Sequence, residues 1–245
     1  MPRLYYPVAG IEDNKISITG EKARYLISVI RCKKGDELTI FDGEGNCFRT
    51  RIEKAGRKEV VAKVIETFSG DTESPLHIIL IQGLLKGDKM DFVIQRTTEL
   101  GVTEIIPAIT RRSQLRETRK VNRWRKIASE ASRQSGRSVI PVIHEPLDFK
   151  NIFSVNSSVE KLYGLIFYEE GGMSLSQAMQ QKRMRDESSP IHIFVGPEGG
   201  FIREEIAFAK EKGLFVVSFG KRILRAETAA ISAVTLVQFL LGDMS

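Results

Sequence analysis

Two short stretches of this chain combine glycine with ionisable side chains. At 194–201, "FVGPEGGF" sets Gly196, Pro197, Gly199 and Gly200 around Glu198. At 219–228, "FGKRILRAET" carries Lys221, Arg222 and Arg225 ahead of Glu227. Glycine lets backbone N–H groups approach a ligand closely and take up dihedral angles that other residues avoid. Three glycines around one carboxylate exceed what a plain strand-to-helix turn needs, so the first stretch reads as a ligand loop. Neither G-x-x-x-x-G-K-[ST] nor G-x-G-x-x-G occurs there, so it is no triphosphate cradle and no dinucleotide fingerprint. In the second stretch the plainest reading of Arg225 and Glu227 is an ion pair at a helix start, worth little if exposed. His192, alone in an apolar run, reads as a core histidine with its ring nitrogens satisfied.

Both stretches need elements to aim them. "IHIFV" (191–195) is a buried strand before the first, and "REEIAFAKEKG" (203–213) a helix after it. "LFVVSFG" (214–220) and "AETAAISAVTLVQFLL" (226–241) repeat the pattern around the second. Upstream, "LHIILIQGLL" (76–85) is a continuous apolar run, as a strand buried on both faces requires. "KGDKMDFVIQRTTELG" (86–101) has helical spacing and ends in Gly101, a C-cap residue. "EIIPAIT" (104–110) is a strand, and "NRWRKIASEASRQSG" (122–136) a helix with Asn122 as N-cap and Gly136 as terminator. "KLYGLIFYE" (161–169) supplies another strand. Alternation of strands and helices implies a mostly parallel α/β sheet with ligands at the carboxyl ends of its strands. The last helix is apolar nearly all round, which means deep burial or a subunit interface. Residues 1–72 differ: short β-branched runs separated by Gly, Asp and Asn turns, with one helical stretch near 23–30, fit a small barrel. The polar, Pro-terminated stretch at 68–75 marks the boundary.

With 245 residues, either one large domain or two smaller ones can bury a core. No apolar run reaches the roughly 18–20 residues of a membrane helix, and the N-terminus lacks a signal organisation. A cytoplasmic location without a membrane partner is therefore expected. Cys32 and Cys47 with three scattered histidines argue against a metal site or a disulfide framework. The net charge of +6 is concentrated: residues 111–137 hold ten Lys or Arg against two Glu. Such a local excess suits a phosphate backbone better than a solvated helical face.

Taken together, "FVGPEGGF" and "FGKRILRAETAA" (219–230) resemble the signature loops of the SPOUT methyltransferases. "YLISVIRCKKGDELTIFDGEG" (25–45), "KGDKMDFVIQRTTELGV" (86–102), "RRS" (111–113) and "WRKIASEASRQSGRSVIP" (124–141) extend the likeness over nearly the whole chain. Their order and spacing are similar to those of the ribosomal small subunit methyltransferase E family, the 16S rRNA (uracil-1498)-N3-methyltransferases. Tyr25 departs from the pattern, many members having His there.

The resemblance implies an α/β protein in two domains. A PUA-like RNA-binding β-barrel over 1–72 would precede a SPOUT α/β domain over 73–245 with a C-terminal trefoil knot at roughly 164–230. It implies S-adenosylmethionine as cofactor, 16S rRNA of the small ribosomal subunit as substrate, and a homodimer to which helix 227–241 contributes. On this reading Val195, Gly196, Pro197, Gly200, Ile223, Leu224 and Thr228 hold the cofactor. Arg225, Glu198 and Glu227 flank the reacting centre. A guanidinium cannot act as base, so Arg225 would stabilise charge on the uracil oxygens, and Glu198, then Glu227, would take the N3 proton or orient Arg225. Arg111, Arg112, Arg123, Lys126 and Arg133 would hold the RNA backbone, with Gln134 and Arg137 reaching towards the target nucleotide. Two other readings share these residues: ribose 2′-O-methylation, and a non-catalytic RNA-binding assembly factor.

Overall fold

A computed structural model describes residues 1–7, 11, 13–155, 162–181 and 189–244. The chain forms two compact units, one of 1–73 with 132–140 and the other of 74–131 with 141–245. The expected division at 72/73 leaves 132–140 in the second domain, whereas these residues cluster with the first.

The first unit is a five-stranded sheet. Its strands are β1 (Arg3–Tyr5), β2 (Lys15–Thr19), β3 (Glu37–Phe41), β4 (Asn46–Ala55) and β5 (Glu59–Ser69), in the order β1-β3-β4-β5-β2. β1 runs parallel to β3 and the other pairs are antiparallel, so β1 and β2 are the edges of an open path. Alternation explains the packing: in β2, Ile16 and Ile18 are buried while Lys15, Ser17 and Thr19 are exposed. They meet Leu38, Ile40, Ile52 and Val60 in one core. Helix α1 (Gly20–Tyr25) runs on as a π-helical turn to Ile30 and stops where Arg31 takes a left-handed conformation (φ 61°).

The unit is closed from 132–140. Ile140 N–H donates to the Gly43 carbonyl at 3.0 Å, and four donors reach Glu73 within 3.0 Å. These are Arg137 Nε (3.0 Å) and Nη2 (2.8 Å) and the backbone N–H groups of Ser138 (2.9 Å) and Val139 (3.0 Å). Burial alone would raise the Glu73 carboxyl. The Arg137 guanidinium and these N–H groups outweigh it and hold the group below the usual carboxylate range.

The second unit is built on a parallel sheet. Its elements are β6 (Ile78–Gly83), α2 (Lys89–Glu99), β7 (Glu104–Ile109), α3 (Val121–Ser135, of which 132–135 cluster with the first unit), β8 (Val142–Ile143), β9 (Leu147–Asp148) and α4 (Phe149–Val155). Then follow β10 (Gly164–Phe167), β11 (Met173–Ser174), α5 (Leu175–Met179), β12 (Ile191–Val195), α6 (Arg203–Glu211), β13 (Phe215–Ser218) and α7 (Ala226–Leu241). The sheet order is β11-β13-β10-β12-β6-β7-β8, with β9 also on β7. Central strands β6, β10 and β12 are buried along their whole length, as their apolar runs require. Gly101 closes α2 in a left-handed conformation (φ 85°), and Val102 N–H reaches back to the Thr97 carbonyl at 3.2 Å. Helix α3 starts at Val121 rather than after Asn122, and Gly136 (φ 84°) follows its end. Behind β12, the rings of Phe149, Phe153, Phe194, Phe201 and Phe208 pack together; Phe153 stacks on Phe194 at 5.2 Å.

Candidate cofactor and active site

Chain order and sheet order diverge around β10. From β10 the chain continues to β12 on one side of it and to β13 on the other. The loops after these three neighbouring parallel strands therefore open at one end of the sheet, around a topological switch point. There they enclose a cavity of about 400 Å³, walled by residues 167–169, 195–198, 218–220 and 222–227, with Lys89, Gly200 and Ala229. That volume lies within the range of small-molecule sites.

The first loop owes its path to glycine at two places. A Cβ on Gly83, at the end of β6, would run into Pro197. Gly200 has φ +68° and sits against the Glu169 carboxylate, so a side chain there is strained both ways. Side chains from β6 and from the turn after β7 then fix the loop. Buried Gln82 donates to the Gly196 carbonyl (3.1 Å) and Arg112 Nη1 to the Gly199 carbonyl (2.8 Å). Phe201, 1% exposed, anchors the far end in the aromatic cluster, 5.6 Å from the Phe149 ring. Glu205 secures the start of α6 by accepting from the backbone N–H of Ile202 (3.0 Å) and of Arg111 (2.8 Å).

Glu198 accepts from Lys89 Nζ at 3.0 Å and from Lys86 N–H at 3.2 Å. Partial burial works against its charge, but its own backbone N–H, the Lys89 ammonium and the Lys86 N–H prevail and hold the carboxyl below its ordinary range. Arg225 is the N-cap residue of α7, its carbonyl accepting from Ala229 N–H at 2.8 Å. Among the described residues no ion pair joins Arg225 to Glu227, so the plainest sequence reading of that pair does not describe this site. Instead the Glu227 Oε2 atom is buried with no hydrogen-bond partner.

Of the residues expected at the cofactor, Val195, Gly196, Pro197, Gly200, Ile223 and Leu224 line the cavity, as do Glu198, Arg225 and Glu227. Thr228 is exposed on the first turn of α7, outside the cavity wall. Lys89, Tyr168, Glu169 and Phe219 also line it and were not expected. "KGDKMD" shows that Lys89 stands at the start of a helix, but its closeness to Glu198 depends on β6 pairing with β12. His192 is buried, its Nδ1–H donating to the Tyr163 carbonyl at 3.0 Å, and burial pushes its pKa down.

The expected RNA contacts are distributed over both units. In the second, Arg111 and Lys126 are exposed, and Arg112 is exposed while bound to the glycine loop. Arg123 is exposed but pairs with Asp91 at 2.7 Å, a carboxylate that also accepts from Trp124 Nε1 at 2.9 Å. In the first unit Gln134 is exposed and Arg133 half-buried. Arg137 needs correction. Its side chain is 3% exposed and its guanidinium is committed to Glu73, so it does not reach outward to a nucleotide. Residues 182–188 of the stretch expected to be knotted lie outside the described residues.

Family models match an RNA methyltransferase domain over residues 72–238 and an RNA methyltransferase PUA domain over 18–65. Curated relatives include the ribosomal RNA small subunit methyltransferase E of Buchnera aphidicola, 31% identical, with 99% of this chain and 95% of that protein covered. The Synechocystis protein of the same name is 33% identical over 98% of this chain and 78% of its own. Among solved structures, the Neisseria gonorrhoeae enzyme of that name bound to S-adenosyl methionine superimposes with a TM-score of 0.87. It is 33% identical, and each chain is covered in full.

Proposed function

Because this chain belongs to the ribosomal RNA small subunit methyltransferase E family, we propose that it methylates 16S rRNA with S-adenosylmethionine, at N3 of the uridine U1498. The observation that carries the proposal is the single cavity in which the "FVGPEGGF" and "FGKRILRAET" loops meet. Its walls suit the cofactor: apolar side chains and loop backbone, with the carboxylates of Glu169 and Glu227 to face a cationic sulfonium, while Glu198 is taken up by Lys89 and Lys86. Val195, Gly196, Pro197, Gly200, Ile223 and Leu224 would hold it, and Thr228 would act only through the start of α7. When bound, the cofactor supplies an electrophilic methyl group.

The remaining work is positioning and charge. An in-line displacement gains most of its rate from holding the two reactants in line. Arg225, exposed at the cavity wall, would stabilise negative charge on the uracil oxygens. Glu227, whose buried Oε2 lacks a partner, would accept the N3 proton. N3 lies on the pairing edge, so the target must be unpaired or turned out of its stack. Arg111, Arg112 and Lys126 of the second unit, and Arg133 and Gln134 of the first, would contact the RNA; Arg123 would do so while paired to Asp91. We further propose that residues of roughly 164–230 form a trefoil knot, that 1–72 act as the PUA-like barrel, and that the protein is a cytoplasmic homodimer.

The test is methyl transfer from labelled S-adenosylmethionine to small-subunit particles lacking the modification, followed by alkaline hydrolysis. N3 methylation leaves the labelled nucleotide cleavable at its 2′-hydroxyl. An alkali-resistant labelled dinucleotide would mean ribose methylation instead. Retained cofactor with no transfer would mean a non-catalytic binding protein.

A further inference from the structure

We propose that Glu198 and Lys89 form a clasp in the cavity wall that sets the conformation of the cofactor loop, with Glu198 a positioning residue and not the base. The two residues come from segments 109 positions apart, the loop after β12 and the start of α2. They meet because β6 and β12 are paired neighbours in the sheet. Glu198 Oε1 takes two donors from one helix start, Lys89 Nζ at 3.0 Å and Lys86 N–H at 3.2 Å. A carboxylate at the N-terminus of α2 is also favoured by the helix dipole.

The clasp is placed where it can act on binding. Gln82 and Arg112 hold the carbonyls of Gly196 and Gly199, the residues close on either side. Those two bonds fix the backbone from outside, whereas Lys89 and Glu198 both stand in the wall itself. Pro197 and Glu198 follow Gly196 directly, so a loop that let go of Lys89 would shift the wall of the cofactor site. A general base works best with a pKa near the working pH. Glu198 sits lower than an ordinary carboxylate because its donors favour the charged form.

The clasp as a determinant of cofactor affinity rests on the proposed use of S-adenosylmethionine, so the experiment has one arm free of ligand. Hydrogen exchange on the full-length protein without cofactor should show protection of loop 196–201 that E198A and K89A lose and E198Q keeps, because glutamine still offers an acceptor to both donors. Calorimetry with S-adenosylmethionine should then show affinity reduced on the order of tenfold in E198A and in K89A. It should be no worse in the double variant, as coupled residues require. E198Q should lie close to wild type in affinity, with the same position of the acid limb of its kcat–pH profile. Equal losses of turnover in E198A and E198Q, with affinity intact and the acid limb gone, would make Glu198 the base and overturn the clasp. So would additive effects of the two alanine variants, or unchanged exchange in E198A. Wild-type protein that fails to bind S-adenosylmethionine would instead overturn the proposed function, and the exchange arm would still decide whether the clasp holds the loop.

Discussion

Arg225 and Glu227 stand two residues apart at the start of α7 yet do not neutralise each other. A guanidinium without that partner can answer charge that develops on a bound base, and a buried carboxylate oxygen without a donor is costly to keep. Arg225→Ala should therefore lower kcat by about 10²–10³-fold, the usual loss for one preorganised donor, with cofactor affinity held within a few-fold. Glu227→Gln should lower kcat by at least about 10²-fold, as loss of a general base does. Single-turnover methyl transfer reads both, and wild-type rates in either folded variant would remove that residue from the chemistry. At this scale the sequence was informative wherever chemistry is local. Glycines around Glu198 and cations ahead of Glu227 are neighbours in the chain, so their loops could be read directly. Lys89 could not be assigned, because its neighbour Glu198 is 109 residues away and reached only through strand pairing.

Elements carry the same contrast between local and distant. Continuous apolar runs marked β6 and β12, and Gly101 and Gly136 marked helix ends, since those signals act within a few residues. The two-residue β11 and the short α5 offer too little pattern to be seen in advance. Arg137 closes a run of cations that suits a nucleic acid, and the sequence does not show that its guanidinium is taken by Glu73, 64 residues earlier. The pair is buried enough for its loss to matter: Glu73→Ala removes the carboxylate that the Arg137 guanidinium shares with the Ser138 and Val139 N–H groups, a cost of about 3–5 kcal/mol to the first unit. Its dependence on pH follows from the lowered carboxyl. A group whose pKa is lower folded than unfolded stabilises the fold fully above the unfolded value, about 4.3 for Glu, and loses that contribution as pH falls through the folded one. Denaturant titrations should show the first unit weakening as pH falls below about 4.3, and Glu73→Gln should lack that component of the decline. An identical acid profile in the variant would mean that Glu73 does not supply it.

Across the whole molecule, strand–helix alternation made the parallel α/β sheet legible and β-branched runs made the first sheet legible. The strand order β13-β10-β12 was not, and it is what gathers three loops around one cavity. Nor could the chain reveal that 132–140 cluster with the first unit, because no composition change marks them. The apolar character of α7 left burial and assembly as alternatives. Ala230, Ala233, Val234 and Val237 are buried, while Leu236, Phe239 and Leu240 remain exposed. If that outer face joins two copies, Phe239→Glu should move the sedimentation coefficient from dimer to monomer, and an unchanged dimer would place the interface elsewhere. The account as a whole stands on which atom receives the methyl group. Small-subunit particles lacking the modification, treated with this protein and S-adenosylmethionine, should yield 3-methyluridine on nucleoside mass spectrometry, in the rRNA fragment containing position 1498. A 2′-O-methylated nucleoside, or no methylated nucleoside from protein that binds the cofactor, would contradict it.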